Sequence, residues 1–186
     1  QQVEEELHRI LPGARVLRLD ADTTTSKGAH DRILRRFEAH DGDILVGTQM
    51  VAKGLDYPRV TLVGVIDADT SLRLPDFRGA ELAFQLVTQV AGRSGRGALP
   101  GEVLVQTYVP EHYSLQAARE HDYAAFVARE LAYRRRLGYP PFSHLLRVLI
   151  QGPDAGAVEA EAGEVAKLLR ERRRQERYRG LGPAPA

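Results

Sequence analysis

Short apolar runs separated by helical stretches constrain the fold of this 186-residue chain more than any other feature. The runs at 43–47 (DILVG), 60–66 (VTLVGVI) and 102–108 (EVLVQTY) are rich in aliphatic residues and too short for a helix, and 15–19 (RVLRL) is a fourth. Strands that alternate with helices pair in parallel through right-handed crossovers, and helices cover both faces of such a sheet. The sequence therefore predicts an α/β fold with a parallel sheet.

Helical segments fill the intervals between these strands. The spacing of apolar residues predicts helices over about 3–10, 30–40 and 80–91, and a helical stretch without a strand over 112–137. In the helix over 80–91 we expect Leu82, Leu86, Val87 and Val90 to form the buried face. The sequence GYPP, residues 138–141, is a strong helix breaker and closes that stretch.

Three parts follow from this order of elements. We expect residues 1–110 to form one domain, 111–141 a helical connector, and 142–186 the start of a small α+β domain. In the last part, 144–150 is predicted as a strand and is followed by one helix. One strand and one helix cannot bury a core by themselves, so we expect this domain to be truncated.

Composition excludes several classes of protein. With 26 basic and 25 acidic residues the net charge is +1, so the overall charge predicts neither nucleic-acid nor membrane binding. No apolar run approaches the roughly 18 residues that suggest a membrane span. The chain has no cysteine, which excludes disulfides and thiolate metal sites and fits a reducing cytosol. Its six histidines lack metal-ligand spacing.

The first candidate site is QLVTQVAGRSGRG, residues 85–97, where a predicted helix ends in two arginines among glycines. Gln85, Gln89 and Arg93 lie within roughly 80° of one another on a helix of 3.6 residues per turn, and form a polar stripe. Arg93 and Arg96 could bind phosphate in bidentate fashion. The alternative is a solvated basic helix end that is favourable to the helix dipole.

The second candidate is GTQMVAKGLDYP, residues 47–58, directly after a predicted buried strand. Ligands of parallel α/β sheets gather at such strand ends. Thr48 and Gln49, beside Lys53, can contact a phosphate or sugar, and Gly54 permits close backbone approach. Asp56 can accept from ribose hydroxyls or anchor a partner arginine. The alternative is a plain strand–helix connection with a glycine turn and an aspartate cap.

Two weaker candidates precede and follow this loop. Thr24 and Lys27, in a polar turn, offer donors for backbone phosphates, although a capped turn explains them as well. Asp67 and Asp69 lie at a strand end as a metal-binding pair would, but without a third oxygen ligand we expect them to cap or to form salt bridges.

Taken together and in this order, these segments resemble the second RecA-like lobe of superfamily 2 helicases. DILVGTQMVAKGLDYPRVTLV is similar to helicase motif V, and QVAGRSGR is similar to motif VI. Arg32 and Phe37 stand where this superfamily often has an arginine and a phenylalanine before motif V. The resemblance implies a RecA-like parallel-sheet lobe with helices on both faces.

The resemblance also implies a role for each matching residue. Arg93 and Arg96 would be the arginine fingers that reach the γ-phosphate of ATP bound on the other lobe. Gln89, Gly54 and Asp56 would contact nucleotide, and Thr48 and Gln49 would contact the nucleic-acid backbone. We also predict nucleic-acid contacts for Lys53, Thr24 and Lys27.

Longer stretches, including GVIDADTSLRLPDFRGAE and RRLGYPPFSHL, closely resemble the primosomal replication-restart helicases within this superfamily. That family implies an ATP-dependent 3′-to-5′ DNA helicase that recognises stalled forks in the bacterial cytoplasm, at the nucleoid. Its implied partners are forked and single-stranded DNA, primosome proteins and single-stranded-DNA-binding protein, with no membrane. Its implied cofactors are ATP and Mg²⁺, held mainly by the first lobe, and zinc in a cysteine-rich module.

Parts of the family pattern do not occur in this sequence. There is no G-x-x-x-x-G-K-[ST] phosphate loop, no D-E-x-H box and no cysteine-rich module. We therefore expect a piece cut after the zinc module and inactive as an ATPase by itself. The alternatives are a natural variant that serves as a catalytically inactive fork-binding scaffold, and another superfamily 2 DNA translocase.

Overall fold

The computed structural model describes residues 2–20, 28–48, 59–92, 100–172 and 182. The chain divides into two compact units, Gln1–Phe142 and Ser143–Ala186. In chain order the described elements are α1 (Gln2–Ile10), β1 (Val16–Leu19), α2 (Ala29–Glu38), β2 (Ile44–Gly47), β3 (Leu62–Val65), α3 (Thr70–Arg73), α4 (Gly79–Ala91), β4 (Glu102–Val105), α5 (Tyr113–Arg119), α6 (Tyr123–Leu137) and α7 (Ala155–Arg172). None of these helices is long and apolar enough to cross a membrane.

Strands β1 and β2 form a parallel pair whose register places Leu19 opposite Gly47. Leu19 is fully buried, and helices α1 and α2 pack on β1. Just before β2, Gly42 allows a close approach, because a Cβ there would lie 2.5 Å from the Leu17 side chain. The Asp43 carboxylate accepts from both the guanidinium and the amide of Arg15, and these hydrogen bonds lower the pKa of Asp43 to about 2.

Strands β3 and β4 form the second parallel pair, with Val65 opposite Val105. Helix α4 packs on both of these strands. The predicted α/β class with parallel strands and flanking helices is confirmed, and all four strands expected before residue 110 are present. Each is shorter than predicted, because the backbone pairing in each pair of strands extends over four residues only.

The short helix α3, which the sequence pattern did not predict, packs against the start of α4. A Cβ on Gly79 would lie 2.6 Å from the backbone oxygen of Ser71, so the first residue of α4 must be small. The predicted apolar face of α4 needs a correction. Val87 and Val90 are buried as expected, whereas Ala83 and Phe84 replace the half-buried Leu82 and Leu86 in the core. The buried face of α4 differs from the predicted one because α4 packs against α5 as well as against β3 and β4.

The helical stretch after β4 is two helices rather than one. Asp122 separates them and begins α6, since its carboxylate accepts a hydrogen bond from the Ala125 amide at 2.8 Å, as an N-cap does. Helix α6 stops at Gly138, whose backbone is in the left-handed region (φ 70°). Both helices contribute to the core of the first unit, since α5 packs on α4 and α6. The core cluster consists of Ala68, Ala83, Phe84, Val87, Leu115, Ala117, Ala118 and Phe126.

The second unit corrects one prediction. Residues 144–150, predicted as a strand, form no regular secondary structure, and no strand occurs among the described residues of this unit. An apolar run becomes a strand only when another strand satisfies its backbone groups. The predicted helix is present as α7, and the Asp154 carboxylate accepts from the Ala157 amide at 2.9 Å near its start.

Candidate nucleotide and nucleic-acid site

The carboxyl ends of β1 and β2 open at the same edge of their sheet. Thr48 directly follows Gly47 and is exposed, and Asp20 directly follows Leu19, the residue opposite Gly47. Asp20 lies 2.8 Å from the Arg18 guanidinium in an ion pair. The hydroxyl of Thr48 therefore stands at the sheet edge where parallel α/β folds bind ligands.

The loop after β3 uses its two aspartates to hold the structure together. Asp69 is 3% exposed and accepts from the Thr107 hydroxyl and, at 2.7 Å, from the Tyr108 amide, which joins the ends of β3 and β4. These two hydrogen bonds lower the pKa of Asp69, so the carboxylate stays charged near neutral pH. Asp67 accepts from the Thr70 hydroxyl and forms a salt bridge with Arg73. The expected salt bridging is confirmed for Asp67. Asp69 stands at the N-cap position of α3 but makes no side-chain cap hydrogen bond, so the expected capping is not found. No group of three or more potential metal ligands occurs in the described part of the chain.

Helix α4 carries the polar stripe predicted before the arginines. Gln85 is exposed and donates to the Glu81 carboxylate at 3.2 Å, one turn earlier. Gln89 is half-buried on the last turn of the helix. The helix ends at Gly92, whose backbone amide donates to the Thr88 carbonyl at 3.1 Å. The helix thus extends to within two residues of Arg93.

Most of the predicted site lies outside the described residues. That set comprises Thr24, Lys27, Gln49, Lys53, Gly54, Asp56, Arg93 and Arg96. Thr48 and Gln89 are the two predicted site residues with described positions, one at the edge of the β1–β2 pair and the other on the helix that covers β3 and β4. The functional roles of all ten remain predictions.

A cluster that the sequence pattern did not indicate ties α4 to α6. The Arg134 guanidinium donates to Glu130 at 2.6 Å and to Glu81 on α4 at 2.8 Å. It also lies 4.9 Å from the ring centre of Phe77, which precedes α4. Glu130 is 6% exposed and accepts a further hydrogen bond from the Tyr113 hydroxyl. Burial and the contact with Glu130 raise the pKa of Tyr113, so its hydroxyl keeps the proton that it donates.

A partial indication of this cluster was available in the sequence. Glu130 and Arg134 are four residues apart, a spacing that brings side chains together on a helix. The same spacing is common on solvated helix faces. The long-range partner, Glu81, lies 53 positions away from Arg134, and no local pattern connects the two.

Comparison with known proteins identifies the protein family to which the chain belongs. Residues 1–98 match the helicase conserved C-terminal domain family, which is more than half of the chain, so the chain belongs to that family. Over nearly its whole length it is similar to replication restart protein PriA. It is 52% identical over 170 residues to that protein from Bacillus subtilis (strain 168), which is 91% of this chain and 21% of the relative.

Two further relatives are similar to the chain over its full length. The chain is 45% identical over all 186 residues to replication restart protein PriA of Synechocystis sp. (strain ATCC 27184 / PCC 6803 / Kazusa), and covers 22% of that protein. It is 36% identical over 186 residues to the protein of that name from Haemophilus influenzae (strain ATCC 51907 / DSM 11121 / KW20 / Rd), and covers 25% of it. The chain thus spans about a fifth to a quarter of the length of these relatives.

Proposed function

We propose that this chain is part of an ATP-dependent 3′-to-5′ DNA helicase that recognises stalled replication forks and restarts replication by primosome assembly. The observation that carries the proposal is the extent of the similarity. It continues past the helicase domain at residues 1–98 through the GYPP turn and into the second unit. A general translocase lobe would account for the first part alone.

The proposed organisation of the motor has two lobes. Residues 1–110 form most of the second lobe, 111–141 connect it to the next domain, and 142–186 begin a domain that binds the DNA fork. ATP and Mg²⁺ bind mainly to the first lobe, since this sequence contains no G-x-x-x-x-G-K-[ST] phosphate loop and no D-E-x-H box. Zinc belongs to a cysteine-rich module outside this cysteine-free sequence. ATP closes the cleft between the lobes and hydrolysis reopens it.

Each predicted site residue has a proposed role in this motor. Arg93 and Arg96 neutralise charge that develops on the transferring phosphoryl group. The other residues contact nucleotide (Gln89, Gly54, Asp56) or DNA (Thr48, Gln49, Lys53, Thr24, Lys27). The further partners are primosome proteins and single-stranded-DNA-binding protein, in the cytoplasm at the nucleoid.

An unwinding experiment tests this function. The full-length protein is expected to separate a forked duplex with a 3′ single-stranded tail when ATP is present, and to fail with a non-hydrolysable analogue or with a 5′ tail alone. Release of a fluorescently labelled strand measures the reaction. Tight fork binding without ATP turnover would instead establish an inactive scaffold, and unwinding without any preference for forks would indicate another translocase.

We expect Thr48→Ala in the full-length protein to uncouple ATP hydrolysis from DNA. The hydroxyl at the β2 edge is proposed to donate to a phosphate, and one hydrogen bond to a charged group is worth about 1.5–3 kcal/mol, or roughly tenfold or more in affinity. Basal ATP turnover should persist, while the DNA concentration needed for half-maximal stimulation rises about tenfold. Thr61→Ala, at an exposed threonine just before β3, is the matched control. Unchanged stimulation by the Thr48 variant would remove Thr48 from the DNA path.

A further inference from the structure

Helix α6 carries an exposed basic and aromatic stripe that lies outside the helicase motifs. Arg129, Tyr133 and Arg136 follow one another at i, i+4 and i+7, which places them within about 60° of each other on the helix. All three are exposed, and the Tyr133 side chain is 44% exposed. We name this stripe the α6 face.

The charge of the α6 face is not neutralised within the described part of the chain. Glu130 is the only carboxylate in α6, and Arg134 and Tyr113 occupy its oxygens. Neither Arg129 nor Arg136 forms a salt bridge with any described carboxylate. Some exposed arginines elsewhere in the described residues are paired, as Arg9 is with Glu6 and Arg119 with Glu120. The α6 face therefore presents two cations to a partner outside these residues.

The Tyr133 ring is held in place although it is exposed. The ring of Tyr113 lies 5.4 Å from it between centroids, at an interplanar angle of 32°, and the Arg136 guanidinium lies 5.2 Å from its centre. A pocket of about 760 Å³ adjoins the stripe and is lined in part by Tyr113, Tyr133 and Tyr139. Glu111 lines this pocket without pairing with either arginine of the face. A ring fixed in this way loses little conformational freedom when a flat group stacks on it.

We propose that the α6 face binds single-stranded DNA, an inference that rests on the proposed function. Arg129 and Arg136 lie roughly 10 Å apart along the helix axis and can engage separate phosphates of one strand. Tyr133 stands between them, where an unpaired base can stack on it. Base stacking on aromatic side chains beside a basic groove is how proteins bind single strands without sequence preference. A duplex would offer the arginines its phosphates but would leave the ring unused.

Titration of labelled oligothymidine against the full-length protein, at several salt concentrations, tests the proposal. The double variant Arg129→Gln/Arg136→Gln is expected to bind about tenfold or more weakly. The slope of log affinity against log salt should fall in magnitude by about 1.4, since each single-strand phosphate contact contributes about 0.7. Tyr133→Leu is expected to weaken binding roughly tenfold with an unchanged salt slope, because stacking on one base contributes about 1–3 kcal/mol.

The control removes the same charge elsewhere. Arg9→Gln/Arg119→Gln loses two exposed arginines and is expected to keep both the affinity and the slope. If the α6 double variant matches this control, the α6 face does not bind DNA. If the α6 double variant binds DNA normally but no longer binds a protein partner, the α6 face is a protein contact and the proposal is overturned. If the unchanged protein fails to bind single-stranded DNA, the proposed function fails as well, which distinguishes that outcome from the other two.

Discussion

Replacing Arg96 with alanine in the full-length protein is expected to lower ATP turnover on the order of 10³-fold while fork binding stays within a few-fold of normal. An arginine finger acts on charge that appears in the transition state, so its loss lowers the rate far more than it lowers binding of DNA. Steady-state ATP hydrolysis at saturating DNA and equilibrium fork binding give the two readouts. Arg93→Ala is expected to behave in the same way.

Two further variants make the Arg96 experiment specific. Arg96→Lys keeps the charge but loses the planar, bidentate geometry, so it should remain strongly impaired. Arg78→Ala removes an exposed arginine just before α4, where it pairs with Asp76, and should leave turnover nearly unchanged. An equal loss of ATP turnover and fork binding in the Arg96→Ala protein would mean that Arg96 is structural.

Arg134→Met is expected to reduce the free energy of unfolding of the 186-residue chain by about 3–5 kcal/mol, the usual cost of breaking a buried ion pair from one side. The variant leaves the Glu130 carboxylate, which is 6% exposed, without its cation. It also removes the contact between α6 and Glu81 on α4. Urea denaturation followed by circular dichroism measures the loss.

A second substitution separates the charge from the packing. In Glu130→Gln/Arg134→Met the buried group is neutral and can still accept from the Tyr113 hydroxyl, so most of the lost stability should return. Arg119→Met, at an exposed residue on α5, should change stability by no more than about 0.5 kcal/mol. A loss of that small size in the Arg134 variant would contradict the role assigned to this cluster.

Local patterns were sufficient for most of the elements in the first unit. The period of apolar residues predicted a helix over 80–91, and α4 spans Gly79–Ala91. The run DILVG predicted a strand over 43–47, and β2 spans Ile44–Gly47. Such signals work because burial of one face, or of both faces, imposes its own repeat on the sequence.

The strand predicted at 144–150 shows where this reasoning stops. Its apolar pattern is suitable for a strand, but strand pairing depends on a partner elsewhere in the chain, and the described part of the second unit contains none. The interruption between α5 and α6 is similar in kind. Asp122 is a recognisable N-cap residue, yet the apolar residues at helical spacing on both sides of it predicted one helical stretch over 112–137.

The sequence by itself determined that this chain belongs to the helicase C-terminal domain family, because motif residues with required chemistry must recur at fixed places along the chain. It also determined the order of strands and helices, since their repeats are local. Only the tertiary structure decided how the charged residues of α6 divide. Arg134 is drawn into the protein by Glu130 and Glu81, whereas Arg129 and Arg136 stay exposed. The physical reason is that a charge is buried only where opposite charges from distant segments are brought to it, and folding alone brings them together.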